Sequence, residues 1–309
     1  MLRVADYQYL IEDADSTALI YSPEFSDTIS KALAAASHAP SLILTPEAVS
    51  ARMAAPSPVL GPAPTTAETV CFWLYSSGST GNPKGVIHPH RSIVYTSQCS
   101  GVDTIGLVED DSCFSASKMF HSYGFGNALT FPLWVGATII LSDQKVTPDM
   151  TFDIFEKYRP TVFFGVPTLY AQQLHSLDKK MRDTGSLRQC VSAGEALPGD
   201  VMMRWKEKTG TLIVDGLGST EALHIFVGNT PADYKPGTSG RVVKRYEVRI
   251  VGDDGIPVAQ GDIGTLHVRG GSTATEYWNN PEKTAKTMLD GGWLNTGDMY
   301  HQDDEGYFV

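Results

Sequence analysis

Cysteine is scarce in this sequence. There are four in 309 residues, at Cys71, Cys99, Cys113 and Cys190, and no two stand in C-x-x-C spacing. A zinc knuckle or a dithiol redox centre is therefore not supported, and free thiols in a reducing cytoplasm are the simplest reading. Long apolar runs are also missing. A stretch such as Ala137 to Leu141 is far shorter than the roughly 20 residues that a bilayer-spanning helix needs. The first residues carry Asp6, Glu12, Asp13 and Asp15 instead of a basic segment followed by an apolar one, so no signal peptide is expected. Positive charge is in deficit, with 24 Lys and Arg against 35 Asp and Glu and a net charge of -11. That argues against a general nucleic-acid surface, which needs a cationic face, but not against a small anionic ligand held by a few local donors. The expected partners therefore include neither nucleic acid nor a membrane. The oligomeric state leaves no mark in the sequence.

What is present suits a globular protein. The hydrophobic fraction is 42% and the charged fraction 19%, ample for a core without metal or disulfide staples. The length fits about two units of roughly 150 residues. Up to about Thr230, short apolar strands alternate with amphipathic helices. Strands are expected at Thr17 to Tyr21, Ser41 to Leu44, Ala137 to Leu141, Thr161 to Val166, Leu187 to Ser192 and Thr211 to Val214. A helix opens at Thr147-Pro148, with Phe152, Ile154, Phe155 and Tyr158 at helical spacing, and stops at Pro160. Pro167 and Pro198 open two more, the second closed by Gly210. This rhythm predicts a largely parallel sheet with helices on its faces.

Beyond Tyr234-Lys235-Pro236-Gly237 the pattern becomes strand, turn, strand: Tyr246 to Val251, Asp253-Asp254-Gly255, then Ile263 to Arg269. A short helix from Pro281 to Leu289 interrupts it. The predicted organisation is an α/β body over residues 1–234 and a small antiparallel, barrel-like β subdomain over 235–309. The Pro- and Ala-rich stretch from Ala54 to Thr66 reads as a surface connection.

The strongest local signal is Tyr75-Ser76-Ser77-Gly78-Ser79-Thr80-Gly81-Asn82-Pro83-Lys84-Gly85, which follows the apolar stretch Val70 to Leu74. Its glycines let the backbone turn tightly and aim N–H groups at one point, while hydroxyls and a lysine add donors, an inventory for wrapping a polyphosphate. It is not a Walker A loop, because Lys84 is followed by Gly85 and not by Ser or Thr. A flexible Gly/Ser surface loop is the plain alternative. His88-Pro89-His90 suggests a metal pair, but the intervening proline and the lack of partner ligands argue against one.

The loop resembles the phosphate-binding signature of the adenylate-forming enzymes, which include acyl- and aryl-CoA synthetases, luciferases and peptide-synthetase adenylation domains. Three further segments match that family in order: Ser192-Ala193-Gly194-Glu195-Ala196-Leu197, Gly216-Leu217-Gly218-Ser219-Thr220-Glu221 and Trp293-Leu294-Asn295-Thr296-Gly297-Asp298. Phe164 to Tyr170, Tyr123 to Pro132, Asp215 to Asn229 and Tyr277 to Thr284 look most like benzoate–CoA ligases. The resemblance implies layered, mostly parallel sheets with flanking helices. It also implies ATP-dependent activation of an aromatic acid to an acyl-adenylate, followed by a thioester with coenzyme A.

Roles follow from the resemblance residue by residue. Ser76, Ser77, Gly78, Ser79, Thr80, Gly81 and Lys84 would hold the β- and γ-phosphates of ATP. Thr220 would donate to the α-phosphate, and Glu221 would hold Mg²⁺, a hard cation suited to carboxylate and phosphate oxygens. The plain alternative for Glu221 is a solvated acid. Asp298 would accept from both ribose hydroxyls, its alternative being a turn-forming Gly-Asp pair. Gly194, Glu195 and Ala196 would line one adenine face, with Asp215 and Gly216 near its edge and Ser219 in the same motif. Leu217 departs from the family's usual aromatic, as benzoate–CoA ligases commonly do. Tyr123, Ala193, Gly194, Gly218 and His224 fall where an aryl ring would sit, and Tyr123 and His224 could equally be core residues. His121 falls beside the substrate carboxylate, where it would donate to it or serve as a structural histidine.

The chain stops at Gly306-Tyr307-Phe308-Val309, where the family continues into a hinge and a small C-terminal lid carrying a catalytic lysine. Tyr7 onward resembles an internal segment of the large domain. The expectation is a piece of a longer ligase with little thioester-forming activity of its own. Transfer to a carrier protein's phosphopantetheine, or an inactive nucleotide-binding module, stay open as alternatives.

Overall fold

The computed structural model describes residues 2–55, 61–76 and 81–309, in two compact units. One holds residues 1–65 and 77–85, the other 66–76 and 86–309.

The first unit is a small β-α-β arrangement. Helix α1 (Val4–Ala14) leads to β1 (Ala18–Ile20), α2 (Ser26–Ala35), β2 (Leu42–Leu44) and α3 (Pro46–Ala54). The two strands pair in parallel, Ala18 opposite Leu42. Among its described residues the buried side chains include Ile11, Ile29 and Ala32. The Thr45 hydroxyl caps α3 by accepting from the Ala48 N–H, and Pro46 occupies the first turn, where no N–H is needed. The Tyr9 hydroxyl donates to the Pro83 carbonyl at 2.9 Å, tying the end of the glycine-rich segment to α1.

The second unit begins with β3 (Val70–Ser76). It pairs in a two-stranded sheet with β4 (Lys84–Pro89), of which residues 86–89 belong to this unit. Helix α4 (His90–Thr96) runs on into a π-helical stretch, Ser97–Val102. Strand β5 (Ser112–Ser115) is followed by α5 (Ser122–Phe125), a second π-helical stretch (Gly126–Thr130) and α6 (Phe131–Val135). Strands β6 (Thr138–Ile140), β7 (Val162–Gly165), β8 (Gln189–Ala193) and β9 (Ile213–Gly218) alternate with α7 (Pro148–Tyr158), α8 (Pro167–Lys179) and α9 (Gly199–Thr209). Strands β10 (Ile225–Gly228) and β11 (Arg241–Val242) complete a seven-stranded sheet in the order β11-β10-β9-β8-β7-β5-β6. From β6 to β9 every pairing is parallel, and β10 and β11 add antiparallel pairings at one edge.

Both faces of this sheet are covered, which is why its strands read as continuous apolar runs and not as alternating ones. Phe163, Cys190 and Ile213 point into one core with Phe152, Phe155, Tyr170 and Trp205. Their neighbours Phe164, Val191 and Val214 point into the other, with Phe131, Phe226 and Val227. The helix boundaries follow the sequence signals. Thr147 accepts from the Met150 N–H ahead of Pro148, and Gly210 closes α9 with φ 75°.

The remaining elements are β12 (Glu247–Val251), β13 (Gly264–Arg269), α10 (Pro281–Thr287), β14 (Met288–Leu289) and β15 (Trp293–Tyr300). The four strands form an antiparallel sheet in the order β12-β13-β15-β14. Tyr246, Leu266, Val268 and Leu294 join this part of the chain to the core beneath the large sheet. The chain thus has the expected layered α/β architecture with an antiparallel β unit after it. Among the described residues, no helix is long and apolar enough to cross a membrane.

Candidate active site

Two motif segments, Gly194–Leu197 and Ser219–Glu221, follow the carboxyl ends of β8 and β9, the end of a parallel sheet where ligands bind. Two glycines keep β9 close to its antiparallel neighbour β10. A Cβ on Gly216 would lie 2.7 Å from the Ile225 side chain, and one on Gly218 2.7 Å from the backbone of His224. Gly194, just past β8, has φ 96°, a conformation that favours glycine, and lets the chain turn away into the exposed Glu195 and Ala196.

Between β9 and β10 lies a tight turn, Ser219-Thr220-Glu221-Ala222-Leu223. The Ser219 hydroxyl accepts from the Ala222 N–H at 3.1 Å, and the Leu223 N–H donates to the Thr220 carbonyl at 3.0 Å. Leu223 has φ 68°, a strained conformation for a branched side chain that the surroundings must enforce. They do so at three consecutive carbonyls. The His88 ring Nε2 donates to Thr220 O at 2.8 Å. The Ala274 N–H donates to Glu221 O at 2.7 Å. The Ser272 hydroxyl donates to Ala222 O at 2.8 Å. The Glu221 carboxylate itself accepts from the Tyr277 hydroxyl at 2.6 Å.

His88 is fully buried, stacked at 5.5 Å on Phe72, with its Nδ1 facing the Ser92 hydroxyl. Burial pushes its pKa down to about 4, so at neutral pH it is an uncharged donor to Thr220. Burial also raises the Tyr277 phenol, and the Glu221 charge adds to that rise.

Asp298 lies in β15 after Gly297, with its own N–H bonded to the Thr296 hydroxyl at 3.1 Å. Its carboxyl is raised above the usual range, first by loss of solvent and then by the charge of Glu221. The Glu221 carboxylate thus lies close enough for its charge to act on Asp298.

Behind the turn is an aromatic cluster. The Tyr123 ring sits 5.5 Å from the His224 ring and 6.4 Å from Phe164, and its hydroxyl donates to the Val191 carbonyl at 3.1 Å. His224 is buried edge-on to Phe131 at 4.5 Å, and its Nε2 meets the Asn127 Oδ1 at 3.1 Å. Burial lowers its pKa to about 3. Gly126 opens the π-helical stretch there because a Cβ would lie 2.5 Å from the His224 ring. Ala193 is buried at the end of β8, opposite Gly216. Asp215 is 4% exposed, and burial lifts its carboxyl to about 7 despite the Ser192 hydroxyl and the Leu197 and Gly216 N–H groups.

The other candidates fall in several places. His121 is exposed at the start of α5, its ring 4.4 Å from Phe120 and its pKa lowered by partial burial. Its neighbour Ser122 places its hydroxyl 3.5 Å from that of Thr220. Leu217 is half-buried in β9. Ser76 ends β3 in this unit, whereas Gly81 and Lys84 belong to the first unit. Ser77, Gly78, Ser79 and Thr80 lie outside the described residues. A separate concavity of about 530 Å³, lined by Pro148, Asp149, His175 and Lys179 among others, holds none of the motif residues.

Among the described residues, no three His, Cys, Asp or Glu side chains cluster as a metal cage. Glu221, a half-buried carboxylate, is the kind of single oxygen donor suited to Mg²⁺, which keeps several waters and is shared with phosphate oxygens. Sequence reasoning weighed His88 only as half of a metal pair, and assigned no role to Ser272 or Tyr277. Tyr277 stood inside a quoted motif, but its link to Glu221 spans 56 positions and that of His88 to Thr220 spans 132.

Residues 1–278 match the family model of AMP-binding enzymes. The chain belongs to that family. It is 41% identical, over its whole length, to a benzoate–CoA ligase of Thauera aromatica, of which it covers 59%. It is 42% identical to a 4-hydroxybenzoate–CoA/benzoate–CoA ligase of Rhodopseudomonas palustris, covering 58% of that protein. The chain thus spans about three-fifths of the length of these AMP-binding relatives. Among solved structures, it aligns over all its residues with a benzoate CoA ligase from Burkholderia xenovorans LB400, with a TM-score of 0.93, 38% identity and 62% of that chain covered. An anthranilate CoA ligase in complex with anthranoyl-AMP aligns with a TM-score of 0.93, 37% identity and 60% of that chain covered.

Proposed function

We propose that this chain carries the nucleotide- and acid-binding part of an aryl–CoA ligase. The reaction is attack of an aromatic carboxylate on the α-phosphorus of ATP, with pyrophosphate leaving. The coenzyme A thiol then attacks the acyl carbonyl, and AMP leaves with its electron pair. The observation that carries this reading is the turn Ser219–Leu223, braced at three carbonyls beside the Tyr123–His224 cluster. Similarity to relatives named for benzoate, hydroxybenzoate and anthranilate narrows the acid to an aromatic one.

In this reading Thr220 donates to the α-phosphate, and Ser76, the residues 77–81 and Lys84 hold the outer phosphates. Asp298 accepts from the ribose hydroxyls. Gly194, Glu195, Ala196, Asp215, Gly216, Leu217 and Ser219 surround the adenine. Tyr123, Ala193, Gly218 and His224 enclose the ring, and His121 donates to the substrate carboxylate. Glu221 would hold Mg²⁺, which when bound neutralises charge on the phosphates. The protein's contribution is alignment and electrostatic complementarity, the main needs of chemistry at phosphorus. Four free thiols, Cys71, Cys99, Cys113 and Cys190, fit a reducing cytoplasm.

A second reading stops at the acyl-adenylate or passes the acyl group to an acceptor other than coenzyme A, such as a carrier protein; 34% identity over 245 residues to a relative named as a p-hydroxybenzoic acid–AMP ligase of Mycobacterium tuberculosis favours adenylation without coenzyme A. Assay of the full-length enzyme with coenzyme A or a carrier protein separates the two.

Calorimetric titration of acyl-sulfamoyl adenosines into the 309-residue chain tests the main reading. The benzoyl compound is expected to bind at least tenfold more tightly than a medium-chain fatty acyl compound. The reverse preference would overturn the aryl assignment.

A further inference from the structure

The Tyr277 hydroxyl lies 2.6 Å from Oε1 of Glu221, and the phenol is 2% exposed. Its ring is locked between Val86, Ala274 and Met288. Its backbone is fixed as well: Val86 bridges to it antiparallel, and its N–H donates to the Thr284 hydroxyl at 2.9 Å. The same strap braces the backbone of the turn, because Ala274 N–H and the Ser272 hydroxyl reach the carbonyls of Glu221 and Ala222. Ser272 is held in turn by the Tyr246 hydroxyl at 2.6 Å. A glutamate has three rotatable bonds, and a half-buried one would sample several rotamers. Here main chain and carboxylate are both tied to one rigid segment some 50 residues further along the chain.

We propose that Tyr277 is a positioning residue for the Glu221 carboxylate and thereby sets the affinity of the site for a divalent cation. The inference rests on the reading above, in which Glu221 is the cation's protein ligand. The phenol holds Oε1 in a fixed orientation through a charge-assisted hydrogen bond, so the carboxylate does not have to be ordered when the cation arrives. Partners of this kind behind a metal ligand commonly change metal affinity by about 10- to 100-fold.

The test is Tyr277→Phe, which keeps the packed ring and removes only a hydroxyl that faces a half-buried carboxylate. ATP is titrated calorimetrically into the 309-residue chain in EDTA and at a series of Mg²⁺ concentrations. Tyr277→Phe is expected to raise the half-saturating Mg²⁺ about tenfold and to leave the affinity for ATP in EDTA unchanged. On a Glu221→Gln background, the same substitution should add nothing further. Equal Mg²⁺ dependence in wild type and Tyr277→Phe overturns the proposal. So does a loss of ATP affinity that is the same with and without Mg²⁺, because that is the mark of a merely structural role. Wild-type chain that binds ATP with no Mg²⁺ dependence overturns the role of Glu221 itself, and that result is distinguishable because it does not involve the variant.

Discussion

The buried imidazole of His88 donates from Nε2 to the carbonyl oxygen of Thr220, 132 residues away, at 2.8 Å. Replacing it tests whether the turn depends on that donor. His88→Phe keeps the stack on Phe72 and loses the hydrogen bond, worth about 1 kcal/mol or roughly fivefold in binding. Titration with benzoyl-sulfamoyl adenosine should show that loss, whereas His88→Gln, which keeps an N–H donor, should show less of it. Equal affinity in wild type and His88→Phe would contradict the account.

Acid stability follows from three buried groups. His88 and His224 are held near 4 and 3, so between pH 6.5 and 4 they stay neutral in the folded chain while their unfolded counterparts take up protons. Asp215, raised to about 7, works in the opposite sense, keeping its proton in the folded chain over the same range. Two protons gained against one lost leaves the unfolded state ahead by one. Stability should therefore peak near pH 6.5, ease as Asp215 ionises towards pH 7, and fall by about 1.4 kcal/mol per pH unit from these three groups towards pH 4, with the lowered His121 and His267 adding to the loss. Asp215→Asn removes the opposing group and should steepen the fall to about twice that. Urea midpoints measured every half pH unit check both slopes.

The contact between β9 and β10 sets a further expectation. A Cβ on Gly216 meets the Ile225 side chain at 2.7 Å and the Val227 carbonyl at 3.0 Å. Gly216→Ala should cost about 1–3 kcal/mol by overpacking, read from urea unfolding. A loss below 0.5 kcal/mol would show that the sheet edge yields more easily than this geometry implies.

Much of the fold was legible because local chemistry announced it. Thr147-Pro148 capped a helix as expected, Pro167 and Gly210 punctuated two others, and doubly buried strands such as Val162–Gly165 stood out as apolar runs. The two π-helical stretches, Ser97–Val102 and Gly126–Thr130, were not read, because one residue inserted into a helix leaves no periodic signature. Strand β10 was missed because its four residues, Ile225–Gly228, follow directly on the turn. Within the site, chain-local motifs named Thr220, Glu221 and Asp298. The groups that hold Thr220 and Glu221, His88 and Tyr277, come from distant segments and become visible only when the strands are in register.

The proposed aryl-ring site has its own test. Ala193 is buried at the end of β8, beside Gly216. Ala193→Leu should weaken benzoyl-sulfamoyl adenosine by at least tenfold through steric exclusion, about 1.4 kcal/mol, and leave ATP binding within twofold. Equal loss for both ligands would show that the side chain disturbs the sheet and not a ring pocket.

The central claim is that the braced turn and the Tyr123–His224 cluster form one site for an aryl-adenylate. A crystal structure of this chain with benzoyl-sulfamoyl adenosine tests it most directly. The account predicts the phenyl ring packed against Tyr123 and His224, the sulfamoyl group against Thr220 and the ribose hydroxyls on Asp298. Density for the ligand elsewhere, or with its ring away from Tyr123 and His224, would contradict it.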